Sequence, residues 1–303
     1  MKFKARIISV MMIMMMLISS MSFSSYAAAK KGAVYVDVTQ DYGNAQVILA
    51  LVNQQRAKKH LKKLKLDQSL TNAAVQRAAE ISMVIPTSSP HRRPDGRLAK
   101  TVNKKAAREN CAEGNFQGPA HVVDVWMHSK PHKATIMLKG AKSAGIAYVS
   151  NPADRSVGYY VLIVSKKKAK KVERSVAQVP MTKTVVAKSN YLHNNYFFLG
   201  GGSQNLVPGS TVSAKAYYAG PKTIPFTAPE INPASFTWTS SNNGVAVVSP
   251  AGQVTAVGLG TVTINAVLNS YPSIILSRSY TVTETLPEDS YDPFYDDEYY
   301  YYP

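Results

Sequence analysis

The alternation of hydrophobic and polar positions changes period along the chain. Residues 31–38, KGAVYVDV, alternate and predict a short strand. In 45–61, Ile48, Leu51 and Val52 recur at helical spacing and predict an amphipathic helix. A second helix is predicted over 64–85, where Leu70, Ala73, Ala74, Arg77, Ala78 and Ile81 repeat at three and four. Asp67 or Ser69 is placed to cap it. Residues 86–97, PTSSPHRRPDGR, are dense in helix and strand breakers and read as a loop, with Arg92, Arg93 and Arg97 as a solvated basic rim. A third helix follows at 118–129. Val122, Val125 and Trp126 form its apolar face, and His121, Asp124 and His128 its polar flank. AGIAYVS (144–150) and GYYVLIVS (158–165) read as strands, the second apolar throughout and so buried on both faces. Helices followed by antiparallel strands make an α+β pattern.

Beyond the basic run KKKAKKVERS (166–175) the period becomes two. Residues 236–268 are short strands punctuated by Ser-Asn-Asn, Pro-Ala-Gly and Gly-Leu-Gly. Val262, Ile264 and Ala266 point one way; Thr261, Thr263 and Asn265 point the other. This spacing predicts an all-β sandwich, with Trp238 filling its core.

The two ends change the picture. Lys2, Lys4 and Arg6 precede an apolar run from Ile7 to Met21, and Ala27 and Ala29 stand in A-x-A spacing. That is the pattern of a secretory leader cut after Ala29, and no later stretch is apolar enough to span a bilayer. Residues 287–303, PEDSYDPFYDDEYYYYP, hold six acids and no bases. The formal charge of the chain is +17; without the three leader bases and the six tail acids, the body carries +20. Such a surface attracts polyanions. For an exported protein lacking nucleic-acid motifs, the expected partner is an anionic cell-wall polymer, a polysaccharide or a membrane surface. Cys111 is the single cysteine, which excludes an internal disulfide framework.

LVNQQRAKKHLKKLKLDQSLTNAAVQRAAEI, HRRPDGR, RENCAEG and VVDVWMHSKPHKATIM occur in the order seen in bacterial members of the CAP superfamily (cysteine-rich secretory, antigen 5 and pathogenesis-related proteins), which residues 45–165 therefore resemble. FTWTSSNNGVAVVSPAGQVTAVGLGTVTINA resembles a bacterial immunoglobulin-like domain of group 2. Together the resemblances imply an α+β, α-β-α sandwich followed by an immunoglobulin-like sandwich. The expected organisation is a signal peptide (1–29), a CAP-like domain (30–165), a basic linker (166–178), an Ig-like domain (179–285) and an acidic Tyr-rich tail (286–303), expected to be disordered.

Carried over from the family, His91, Glu109 and His132 fall on a polar central cavity, which in some members binds zinc or another divalent metal. This sequence departs from the family at three points. Ser143 is the polar residue near the place of a fourth cavity group, Pro131 replaces a glycine, and Cys111 replaces an apolar residue as a packed thiol. Two imidazoles and a carboxylate could ligate zinc, with Glu109 as base in a hydrolase. They could equally form a buried hydrogen-bonded network. The leading expectation is a secreted or wall-associated, non-enzymatic protein of surface interaction, binding wall polymer, polysaccharide or a surface protein. The alternatives are a metal-dependent hydrolase and a carrier of lipid or another small ligand.

Overall fold

A computed structural model describes residues 31–83, 91–150, 157–170, 176–220 and 228–285. The expected leader, the acidic tail, residues 171–175 of the basic run and the start of the 86–97 loop lie outside the described residues.

The first strand, β1 (Lys31–Asp41), runs into helix α1 (Tyr42–Ala57), where Asp41 accepts from the backbone N–H of Asn44 at 2.8 Å and caps it. The helix stops short of the predicted residue 61. His60 takes a left-handed conformation (φ 52°), and the N–H groups of His60 and Leu61 return to the carbonyls of Ala57 and Arg56. This is a Schellman closure with no glycine to announce it. After β2 (Lys65–Leu66) comes α2 (Gln68–Met83).

Asp67 caps α2. It accepts from the N–H of Leu70 and the hydroxyl of Ser69, and pairs with Lys105 at 2.9 Å. Burial opposes ionisation, but Ser69, Lys105 and the N–H groups of Lys170 and Leu70 outweigh it and hold the Asp67 carboxyl down at about 2. Its pKa is lower in the folded chain than in the unfolded one. The stability it adds is therefore complete above about pH 4 and lost as pH falls towards 2. At 1.36 kcal/mol per unit this is about 2 kcal/mol. Asp67→Asn is expected to lower stability at pH 7 by roughly that amount and to flatten the acid limb of the stability profile, read by urea unfolding from pH 2 to 7.

Helices α3 (Pro119–His128) and α4 (Lys130–Ile136) complete the helical set. On α3, Val122, Val123 and Trp126 are buried while Val125 is exposed, which corrects the predicted apolar face by one position. The strands β3 (Arg108–Gly114), β4 (Ser143–Ser150) and β5 (Gly158–Ser165) lie in the order β3-β5-β4-β1. β5 is buried at every position because both its faces are covered. Tyr159, Val161 and Ile163 join the core containing α2, and Tyr160, Leu162 and Val164 the core containing α1, α3 and α4. The result is the expected α-β-α sandwich.

β1 also belongs to the C-terminal half. Along one edge it pairs with β6 (Gln178–Lys188) from Lys31↔Lys188 to Asp41↔Gln178. Along the other it meets β4 at Thr39 and Gln40, and β11 (Glu230–Ile231) at Val36↔Ile231. β10 (Lys215–Tyr218) and β7 (Phe197–Gly200) extend that sheet. The remaining strands are β8 (Asn205–Leu206), β9 (Thr211–Ser213), β12 (Phe236–Ser240), β13 (Ala246–Val248), β14 (Gln253–Ala256), β15 (Gly260–Leu268) and β16 (Ile275–Val282). They form one sheet in the order β12-β15-β16-β8 and another in the order β13-β14-β9. Val262, Ile264 and Ala266 are buried between them, and Trp238 packs into the same core with its indole N–H donated to the Pro233 carbonyl. This half is a β-sandwich.

Candidate functional site

Among the described residues, β3 ends its sheet and pairs along one edge only, with β5. Along a strand, side chains alternate between faces. Glu109 and Cys111 face α2, while Asn110 faces α4 and donates to the His132 carbonyl at 2.9 Å. Pro131 suits the first turn of α4, where no backbone N–H is required, and so places His132. His91 comes from the turn that Arg92 and Leu98 close by a bridge. His91, Glu109 and His132 line a cavity of about 470 Å³, with Leu98, Ala99, Ala106 and Ile163 as apolar wall and Lys100 and Arg108 also at its lining.

Four charged side chains alternate beneath this cavity. Arg77 bridges Glu80 at 2.8 Å and both oxygens of Glu109 at 3.2 Å, and Arg93 bonds both oxygens of Glu80. His91 Nδ1 lies 3.0 Å from Glu109 Oε1. Arg77 and Glu80 are each 1% exposed, so each charge depends on its partner rather than on water. Burial opposes the charge on Glu109, but the His91 hydrogen bond and the Arg77 guanidinium prevail and hold its carboxyl below the usual carboxylate range. Burial, then the charge of His91, lowers the basicity of His132. Its Nδ1 is buried without a hydrogen-bond partner among the described residues.

The donor set fits a divalent ion poorly. His91 and Glu109 stand at hydrogen-bond distance, but both Glu109 oxygens already accept from Arg77, so a metal there would share the carboxylate with a guanidinium whose positive charge repels it. Among the described residues, the ligand atoms that gather within 4.8 Å of one another are those of His91, Glu109 and Cys111; His132 shares the cavity wall but stands outside that cluster. Burial, then the neighbouring Glu109 charge, pushes the Cys111 thiol well up, so it is protonated and a poor ligand or nucleophile at neutral pH. Ser143 is spent elsewhere, donating to the Lys167 carbonyl. A carboxylate paired with a buried guanidinium is also a weak general base, because its proton affinity is low.

One other expectation changes and one holds. Arg93 is no solvated rim residue, because Glu80 draws it inward to 13% exposure. His121, Asp124 and His128 do form an exposed flank on α3, where His128 pairs with Asp124 at 3.3 Å. The residues that sequence reasoning passed over are Glu80 and Arg77. The second left a sign: an arginine standing on the apolar stripe of a helix needs a buried partner.

Residues 49–164 match the model of the cysteine-rich secretory protein (CAP) family, and residues 208–273 that of the bacterial Ig-like domain, group 2. Over 110 residues the chain is 30% identical to the uncharacterised protein YkwD of Bacillus subtilis (strain 168). The match spans 34% of this chain and 42% of that protein, less than half the relative's length. An extracellular SCP-domain protein of Bacillus anthracis is similar at 17% identity and TM-score 0.34, covering 42% of this chain and 41% of that one. A C-terminal fragment of intimin, solved with the intimin-binding domain of its translocated receptor, is similar at 17% identity and TM-score 0.22, covering 45% and 47%.

Proposed function

From a chain with a CAP domain at 49–164 and a group 2 bacterial Ig-like domain at 208–273, we propose a non-enzymatic protein of the bacterial surface that holds to anionic envelope polymer. The observation that carries the non-enzymatic reading is Glu109. Among the described residues it is the one carboxylate lining the cavity, and Arg77 and His91 engage both its oxygens. A hydrolase would need that group free to take a proton. The envelope reading is supported by the body charge of +20, by the secretory leader pattern, and by the extracellular description of the Bacillus anthracis protein. No helix among the described residues is long and apolar enough to cross a membrane.

One experiment tests both halves. The chain is sedimented with purified Gram-positive walls at low and high salt, and soluble wall fragments are assayed in the same tubes. The expected result is retention at low salt, release at high salt because exposed charges are then screened, and no fragments. Protein left in solution at low salt removes the envelope reading; released fragments remove the non-enzymatic one. The apolar wall of the cavity supports a second reading, carriage of a small apolar ligand, whose mark is lipid extracted from the purified chain.

A further inference from the structure

A second concavity, of about 530 Å³, lies in the C-terminal half. One wall is the segment between β6 and β7, two short 3₁₀ turns at Ser189–Tyr191 and Asn194–Tyr196. The opposite wall is the turn joining β15 to β16, with Tyr271, Ser273 and Ile274. Its form is fixed by hydrogen bonds and packing among its walls. The Asn194 side chain accepts from the Ile275 N–H at 3.0 Å, and Ser270 bonds both the N–H and the carbonyl of Ala33 in β1. Leu192 packs against Gly32, where a Cβ would stand 2.7 Å from its methyl. Leu192, Tyr271 and Ile274 are buried and give the concavity an apolar floor.

The chemistry of the lining is uniform. Among the described residues no Asp, Glu, Lys or Arg contributes to it. Asn190, Asn195 and Ser273 are exposed there, and their side chains make no hydrogen bond within the described residues; His193 is exposed beside them with its ring edge-on to Tyr196. Amides and hydroxyls both donate and accept, which is what a sugar hydroxyl or acetamido group requires, and an apolar floor suits the C–H face of a pyranose. Among the described residues a charged ligand would meet no carboxylate, ammonium or guanidinium here, and a purely apolar one would strip water from unpaired amides at a cost. A pocket held open from three chain segments also loses little freedom on binding.

We infer that the concavity between the β6–β7 segment and the β15–β16 turn, lined by Asn190, Asn195, His193 and Ser273 over Tyr271, is a binding site for a neutral oligosaccharide. It stands apart from the CAP cavity and does not depend on the reading given to that cavity.

The test is titration calorimetry of the full chain with tetra-N-acetylchitotetraose and with maltotetraose, in high salt so that charge-driven attraction is screened. The comparison proteins are the double variant Asn190→Ala/Asn195→Ala and the single variant Ser273→Ala. These side chains are exposed and unbonded, so the thermal midpoint should not move. Saturable heat with at least one tetrasaccharide is expected, weakened about tenfold or more in the double variant and by a smaller factor in Ser273→Ala. Absence of heat with both sugars, or binding that the variants leave unchanged, overturns the site.

Discussion

Arg77→Met is expected to cost the fold about 3–5 kcal/mol, the range found when one partner of a buried ion pair is removed. Methionine fills the volume but leaves Glu109 without its guanidinium and Glu80 with the Arg93 guanidinium and the Gln76 amide. The loss comes less from the missing attraction than from carboxylates stranded away from water. That origin makes a second measurement decisive. In Arg77→Met/Glu109→Gln, one stranded charge is gone, and a substantial part of the loss should return. Urea unfolding at pH 7 of both variants, with Glu109→Gln alone to close the cycle, reads the coupling directly. If the double variant is as unstable as the sum of the singles, Arg77 stabilises by packing and not by neutralising Glu109.

Gly145→Ala is expected to destabilise by about 3 kcal/mol or more, at or above the upper end of overpacking costs. Gly145 faces α2 from β4, and a Cβ there would stand 2.0 Å from the Leu70 carbonyl carbon and 2.3 Å from the Thr71 nitrogen. These are backbone atoms of a capped first turn, which cannot rotate aside as a side chain would. The first turn of α2 is also tied down by Asp67, whose own N–H donates to the Ala144 carbonyl at 2.8 Å. Thermal unfolding is the check, with Ala147→Gly, at a residue buried in the same strand, as the comparison. A loss below about 1 kcal/mol in Gly145→Ala would mean that α2 can lift from β4 without disturbing its cap.

Much of this architecture can be read from periodicity because the layers are local. β5 advertises burial on both faces by an unbroken apolar run, and α2 by its stripe at three and four. Legibility fails where a feature depends on distant partners. β6 alternates Val179, Met181, Val185 and Ala187 with outward residues, yet nothing local says that its partner is β1. His60 closes α1 in a conformation that sequence rules assign to glycine. At the site, the motifs located His91, Glu109 and His132, and the cavity gathers them. What they could not reveal is that Arg77 stands on Glu109, because a motif registers a residue type and not its charge partner. The Arg93 rim failed for the same reason: a loop arginine is solvated unless a buried acid calls it in.

The seam made by β1 sets an order of events in synthesis. β1 is the first described strand to be made, and its partners are among the later ones. Asp37 bonds Asn232, and Ala33 bonds Ser270, 237 residues on. Until β6 arrives, the long edge of β1 is an unpaired row of backbone donors and acceptors, the kind of surface that recruits neighbouring chains. A chain that stops at residue 165 has the α-β-α layers but not the strand that shields its own beginning. The distant pairings slow folding, and the incomplete molecule is exposed to aggregation for as long as the second half is missing. The C-terminal module is thus also the closing clasp of the first one, and the two halves reach maturity together.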